Sequence, residues 1–332
     1  ERFASKRGTA TKVSVLTLIC RHHIYISSRI KPLLTLLLAK IMSTIMDANN
    51  ILSSFKIGPT YSFNNTLYST ISSCPYPIMQ VMISGNTINQ VDRQATLLWC
   101  QEKEKRLYLH THLHNNLAKI DAKVTLRRLK QDLTLLQSGD NRIPGAAVLH
   151  VGKACDYVTG RRKPFADEYR QGRSNVITRL NQLIPYYQTK ERPLLLLENA
   201  AGQGSEIGTS WDDFRHIAEG LDHNYLGLCL DTQHAFGAGL CDWSSAQSVD
   251  TVFDAANDLG FSLELIHLND SKVAFNSRVD RHESICQGYI WTKNDESLVH
   301  LLARCIEEDK DVVLETPTAT QDIINIYRWY VD

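Results

Sequence analysis

The sequence predicts an α/β protein built as a single (β/α)8 TIM barrel, with its functional groups at the C-terminal face of the strands. Three observations carry that reading. From Phe55 onward, eight short and almost continuously apolar runs alternate with longer amphipathic stretches, the pattern of parallel strands buried on both faces. Six of the eight runs end in a side chain able to ligate a metal: His110, His150, Glu198, Asp231, His267 and Glu315. The length, 332 residues, suits one large α/β domain.

In chain order the expected strands are 54–58, 78–84, 106–110, 145–150, 193–198, 225–231, 262–268 and 311–315. Helical patterns follow at 122–137, 173–188, 211–220, 295–309 and from Gln321 onward. Ser210 and Asn294 stand where an N-cap is wanted. A doubly wound sheet would use the same units, so counting alone does not separate the two folds. The strand-end residues bear on the choice, because in a barrel the strand C-termini converge on one site about the axis. No Gly/Pro/Ser-rich linker, internal repeat or low-complexity tract interrupts the series.

Composition narrows the class. With 43% hydrophobic and 22% charged residues the chain is an ordinary soluble globular protein. Eight cysteines without a CxxC pair are too sparse for a disulfide framework and fit a reduced, intracellular protein. The net charge of zero hides an asymmetry. Of 36 basic and 36 acidic side chains, eight and one fall in residues 1–46, so the remainder carries 28 against 35, net −7. A body of that sign is a poor nonspecific DNA binder unless bound metal ions supply local positive charge. Residues 1–50 form a basic, acid-poor leader. It reads equally as a mitochondrial transit peptide or as upstream sequence ahead of Met42 or Met46, and residues 51–332 form the barrel. The apolar run 32–39 is too short to span a membrane.

Any one strand-end His or Glu is usually a cap or a solvated rim residue; six in order are hard to explain that way. Two further patterns join them, Asp231-Thr232-Gln233-His234 after the sixth strand and Asp280-Arg281-His282 after the seventh. Nine His, Asp and Glu ligands with no Cys suit zinc or manganese at a catalytic site with open positions, not a closed structural zinc site. The stretch 202–208, GQGSEIG, has the look of a dinucleotide-binding glycine loop. Its third Gly comes one residue late and it follows the fifth strand, so it reads as a mobile loop on the substrate side.

At these residues the sequence resembles the endonuclease IV family of apurinic/apyrimidinic endonucleases. The stretches 197–205 (LENAAGQGS), 227–239 (GLCLDTQHAFGAG) and 267–290 (HLNDSKVAFNSRVDRHESICQGYI) are similar to that family's signature blocks. More loosely, 109–117 (LHTHLHNNL) and 148–152 (VLHVG) resemble the blocks around its first two ligands. The resemblance covers 55–330 and implies three zinc ions, with manganese an alternative at one site. His110, His150 and Glu198 would hold the first. Glu198 would bridge to a second, bound by Asp231, His267 and Glu315, and His234, Asp280 and His282 would hold the third. Glu198 and Glu315 would be the catalytic residues.

The implied activity is hydrolysis of the phosphodiester bond 5′ to abasic sites in damaged double-stranded DNA, leaving 3′-OH and 5′-deoxyribose phosphate, together with cleaning of 3′ ends. The candidate DNA contacts are Arg281, Lys272, Asn269, Gln203, Leu113 and His114. The expected partner is DNA, with no membrane and a monomeric chain. The expected location is intracellular, in nucleus or cytoplasm, in the mitochondrion if the leader is a transit peptide, or in the virion or host cell of a large DNA virus.

Several positions depart from the family: Val151 replaces a Pro, Thr60 a His, Thr87 an Arg of the second loop, and Leu113-His114 a Tyr-Leu pair of the third. Divergent members from large DNA viruses lack some of the same features. Two other classes compete: sugar isomerases and epimerases, which share the barrel but lack the Asp280/His282 pair, and a damaged-DNA-binding protein without catalysis.

Overall fold

The computed structural model describes residues 55–331 apart from 63–66, 84–89, 139–140, 155–165, 190–191, 222–224 and 293–294. The expectations for the leader over 1–50, for Met42 and Met46, and for Thr87 and Asn294 lie outside the described residues.

Eight strands, β1 (Ile57–Ser62), β2 (Ile78–Met82), β3 (Arg106–His110), β4 (Gly145–His150), β5 (Leu195–Glu198), β6 (Leu226–Asp231), β7 (Ser262–His267) and β8 (Asp311–Leu314), close into a barrel. Every ladder is parallel and the order around the barrel is the chain order, with β1 sealing against β8 at Ile57↔Val312, Gly58↔Val313 and Pro59↔Leu314. The helices of the described residues are α1 (Leu67–Ile71), α2 (Gln90–Glu102), α3 (Lys123–Leu136), α4 (Ala166–Tyr187), α5 (Trp211–Glu219), α6 (Thr232–Gly237), α7 (Ala246–Asp258), α8 (Glu296–Glu307) and α9 (Ala319–Val331). None is long and apolar enough to cross a membrane.

Seven strands match the sequence reading to within two residues at either end. The first does not: the apolar signal centres on 54–58, whereas β1 runs on through Thr60, Tyr61 and Ser62. Those polar residues stay in the strand because Thr60 faces the interior and accepts a hydrogen bond from Gln80 Nε2 at 3.2 Å. Helix α4 starts seven residues before the expected 173, where Asp167 and Glu168 in its first turn complement the helix dipole. Ser210 caps α5 as expected by accepting from the Asp213 amide, and Asp295 itself caps α8 through the Ser297 amide.

Strand alternation sorts the interior into layers. The middle layer is apolar and takes Ile78, Tyr108, Val148, Leu196, Cys229, Leu265 and Val313, one from each of β2 to β8, with Ala146 beside them. Two residues nearer the strand C-termini the same face carries Gln80, His110, His150, Glu198, Asp231, His267 and Glu315. Two residues nearer the N-termini it carries Arg106 on β3 and Asp311 on β8. All six cysteines among the described residues are free thiols.

Candidate metal centre

The upper layer converges on Glu198. This carboxylate is fully buried at the end of β5. Its Oε2 lies 3.2 Å from His110 Nε2 and 3.3 Å from His150 Nε2, and its Oε1 lies 2.9 Å from His267 Nδ1 and 3.5 Å from His234 Nδ1. His267 Nδ1 also stands 3.3 Å from Glu315 Oε2 and 3.8 Å from Asp231 Oδ2. Glu315 follows β8 by one residue and extends the set.

The second group forms where α6 leaves β6. Asp231 caps α6 through the His234 amide at 2.7 Å, which turns the His234 ring back over the barrel. His234 Nε2 and His282 Nε2 lie 3.5 and 3.4 Å from one oxygen of Asp280, and His282 Nε2 is 3.7 Å from Asp231 Oδ2. The structure thus brings all nine sequence-derived ligands together. Donor atoms cluster within 4.8 Å as His110/His150/Glu198, as Glu198/Asp231/His267/Glu315 and as Asp231/His234/His282, and the Cys229 thiol lies within the same reach of Glu198 and His267. Asp231 therefore reaches into the third group as well as the second.

The residues fit a set of divalent ions on three grounds. Donors held about 2.0–2.2 Å from a tetrahedral ion stand about 3.3–3.6 Å apart. Most of the spacings above fall in or beside that range, beyond the 2.7–3.2 Å usual for N–H···O bonds. Four carboxylates, Glu198, Asp231, Asp280 and Glu315, share the site, and among the described residues no Lys or Arg pairs with any of them. His282 Nε2 is buried without a hydrogen-bond partner, which is costly for a polar atom with no further role.

Electrostatics follow from the crowding. Burial alone would raise the Glu198 carboxyl, but His150, His267 and His110 hold it well below the usual carboxylate range. Asp280 is likewise lowered, its burial outweighed by His234 and then His282. At His150 burial wins and the ring is pushed down, favouring the neutral imidazole that binds metals.

Outer residues hold the ligands. Asn199 clasps the Asp231 backbone, accepting from its amide at 2.7 Å and donating to its carbonyl at 3.0 Å. The loop after β7, which brings Asp280 and His282, is pinned by Asp270. This fully buried carboxylate accepts from the amides of Ser271, Cys286, Gly288 and Ile290 at 2.7 to 3.2 Å. A Cβ on Gly288 would come within 2.5 Å of Asp270 Oδ1, so only glycine allows that approach. Asn276 and Arg278 adopt left-handed backbone in the same loop, and their amides are tied to the α6 carbonyls of Phe236 and Gly237. Sequence reading missed Gln80, Asn199 and Asp270. For Gln80 a signal was available, a lone polar residue at an inward position of an otherwise apolar strand; Asn199 and Asp270 lie beyond the barrel strands and gave none.

The candidate DNA contacts divide. Arg281, Lys272, Leu113 and His114 are exposed on the strand C-terminal side. Asn269 is not: it is fully buried, and its amide donates to Asp231 Oδ2 at 2.7 Å and accepts from the Glu315 amide at 2.9 Å. It orients ligands and cannot face a duplex, which corrects the sequence expectation. Gln203 Oε1 accepts from the Asp280 amide at 3.3 Å. The glycine loop around it is held down: Glu206 Oε2 accepts from the Gly202 and Gln203 amides, and Glu206–Ile207 pairs with Gly152–Lys153. These bonds tie down the loop expected to be mobile.

Comparisons with known proteins agree with this architecture. The sequence profile described as "Xylose isomerase-like TIM barrel" matches residues 96–320. A "Probable endonuclease 4" of Halothermothrix orenii is 36% identical over 152 residues, 44% of this chain and 51% of that protein. Another, of Symbiobacterium thermophilum, is 32% identical over 200 residues, 58% of this chain and 64% of that protein. The chain thus spans about half to two thirds of the length of these relatives.

Among solved structures, endonuclease IV from Thermus thermophilus superposes with a TM-score of 0.64 at 21% identity, covering 83% of this chain and 98% of that one. A D-tagatose 3-epimerase-like protein superposes with a TM-score of 0.61 at 15% identity, covering 82% and 97%. At such identities these two speak for the fold alone. On the profile and the sequence relatives, the chain belongs to the xylose isomerase-like TIM barrel family and is an endonuclease IV-like member of it.

Proposed function

We propose that the chain is a metal-dependent DNA-repair nuclease that hydrolyses the phosphodiester bond 5′ to abasic sites in duplex DNA, leaving 3′-OH and 5′-deoxyribose phosphate, and that it also trims blocked 3′ ends. One observation carries the reading: at the C-terminal face of one barrel, Glu198 links the His110/His150 group to the Asp231/His267/Glu315 group, and Asp231 links the latter to His234 and His282. Three zinc ions fit that set, with manganese an alternative at one site. His110, His150 and Glu198 would hold the first, Glu198, Asp231, His267 and Glu315 the second, and His234, Asp280 and His282 the third.

Bound there, such ions would supply Lewis acidity and a water of lowered pKa for an in-line displacement. The chain's own groups do the rest. Glu198, buried and held ionised, is the shared anion. Glu315 is aimed by Gln80 Nε2 at 2.7 Å on one oxygen and by its own amide on Asn269 at 2.9 Å, so its free lone pairs can orient the attacking water. Arg281 and Lys272, exposed beside the site, would receive flanking phosphates. An abasic nucleotide has no base to unpair, so it leaves the stack at the lowest cost and reaches the buried centre most readily.

Elemental analysis of the purified chain beside nicking of an abasic duplex tests the reading. The expected result is about three metal ions per chain and cleavage 5′ to the lesion that a chelator stops. A chain that binds no metal and leaves the abasic duplex intact would sink it.

A further inference from the structure

Gln80 lies in the ligand layer without being able to serve as an anionic ligand. It is fully buried on β2, in a strand whose other described side chains are apolar. Its amide reaches three other strands. Nε2 donates to Glu315 Oε1 at 2.7 Å and to Thr60 Oγ1 at 3.2 Å, while Oε1 stands 2.9 Å from His267 Nε2.

These contacts fix which end of the amide is which. A carboxylate can only accept, so the group beside Glu315 must be the NH2, and the group beside His267 must be the carbonyl oxygen. A carbonyl oxygen in turn demands a proton on His267 Nε2. The other ring nitrogen, Nδ1, is then left for the cluster, where it lies 2.9 Å from Glu198 Oε1 and 3.3 Å from Glu315 Oε2. One side chain therefore sets two ligands at once, the ring of His267 and the carboxylate of Glu315.

Resting on the metal-centre reading above, we infer that Gln80 is a positioning residue that keeps the Nε2 proton of His267 and turns Glu315, so that both present their metal-binding atoms to the Glu198/Asp231 cluster. Outer partners of this kind tune ligand orientation and basicity, and their loss costs about 10–100-fold in metal affinity. Thr60 completes the arrangement by accepting from the same Nε2, so that both N–H groups of the amide are used.

The test uses the full chain loaded with zinc and labelled with 15N at histidine. In the parent protein, His267 should coordinate through Nδ1 and keep an Nε2 proton in slow exchange with water. Gln80→Met keeps the volume and removes both hydrogen-bonding functions. It should lose that slow exchange and weaken zinc at the Glu198/Asp231/His267/Glu315 cluster about 10–100-fold, with the His234/Asp280/His282 cluster unchanged. Gln80→Glu still accepts from His267 but cannot donate to Glu315, so it should keep the protected proton and still lose zinc affinity. If Gln80→Met does not fold, Thr60→Val serves instead and should give a smaller loss at the same cluster.

A variant that is merely less stable, with the Nε2 proton still protected and zinc affinity within about threefold of the parent, overturns the inference about Gln80 while leaving the metal centre intact. A parent chain that takes up no zinc at this cluster overturns both.

Discussion

The two ends of the barrel interior bury charge in opposite ways. At the N-terminal end, Asp311 is fully buried but answered on the spot: Arg106 Nη1 bonds both of its oxygens at 2.7 and 2.8 Å, and the Tyr108 hydroxyl donates at 2.6 Å. At the C-terminal end, four carboxylates and five imidazoles meet with no Lys or Arg paired among the described residues, at spacings mostly wider than good hydrogen bonds. The lower layer is self-sufficient. In the upper one the imidazoles are the basic groups that face the carboxylates, an arrangement suited to bound cations. The strand-borne groups of both layers come from the same alternation along the same strands, and the upper layer adds His234, Asp280 and His282 from α6 and the loop after β7.

Removing the shared anion should have the largest effect. Glu198→Gln should leave the barrel folded but lose metal from two clusters, with nicking of an abasic duplex falling on the order of 10³-fold or more, well beyond the loss expected for an outer partner. Circular dichroism with elemental analysis checks both halves. Retained metal would mean that the upper layer does not depend on its charge.

The lower layer should respond in stability instead. Asp311→Asn strands Arg106 and the Tyr108 hydroxyl and should cost about 3 kcal/mol in denaturant unfolding, at the low end for a broken buried pair because Arg106 is part-exposed. Metal content should not change. If it falls as far as in Glu198→Gln, the contrast between the two ends is wrong.

Asp280→Asn tests the upper layer from its edge. It should release about one metal per chain and slow nicking roughly 10–100-fold without abolishing it, since Glu198 and Glu315 remain. Full metal content and full rate would instead mean that the Asp280 cluster holds no metal that the reaction needs.

Asp132 on α3 shows a third solution, neutralisation by a proton. Burial pushes its carboxyl up to about 7, opposed only weakly by Arg128, and its Oδ2 has no partner. In the unfolded chain the group ionises near 3.8. From there to about 7 the unfolded state sheds a proton that the fold retains, so stability falls as pH rises through that window and levels off above it. The ceiling of that loss is about 4 kcal/mol. A carboxamide at this position would still bury a polar group without a partner, so Asp132→Asn should stabilise by only about 1–2 kcal/mol at pH 8 and not at all at pH 4. Thermal melts at the two pH values decide it.

Much of this was legible before any coordinates. Strands buried on both faces announce themselves as apolar runs, and a ligand at the end of each run marks the face where they converge. That is why the meeting of His110, His150, Glu198, Asp231, His267 and Glu315 at one face could be read from position alone. The loop residues Asp280 and His282 carry no periodicity and offered only a weak D-x-H pattern, which the family resemblance strengthened. What stayed hidden depended on distance in three dimensions. Asp270 gathers amides up to twenty residues ahead of it, and Asn269, a candidate DNA contact on the resemblance, is fully buried among the site's carboxylates. The first strand was misplaced because its inner half is polar for the sake of Gln80.

The seam between β1 and β8 gives the centre a place in the order of folding. Seven junctions of the barrel join strands that follow one another along the chain, and these can form by local closure. The eighth brings together segments more than two hundred residues apart, the most expensive loop to close and so the slowest junction to form. The Gln80 amide lies across that seam, linking β2 to Thr60 on one side and to Glu315, 235 residues away, on the other. All nine candidate ligands arise from β3 onward, so a chain still open at the seam already holds them. It lacks the Gln80 bonds to Glu315 and His267, and a half-finished barrel would carry the charge of the site without that part of its alignment.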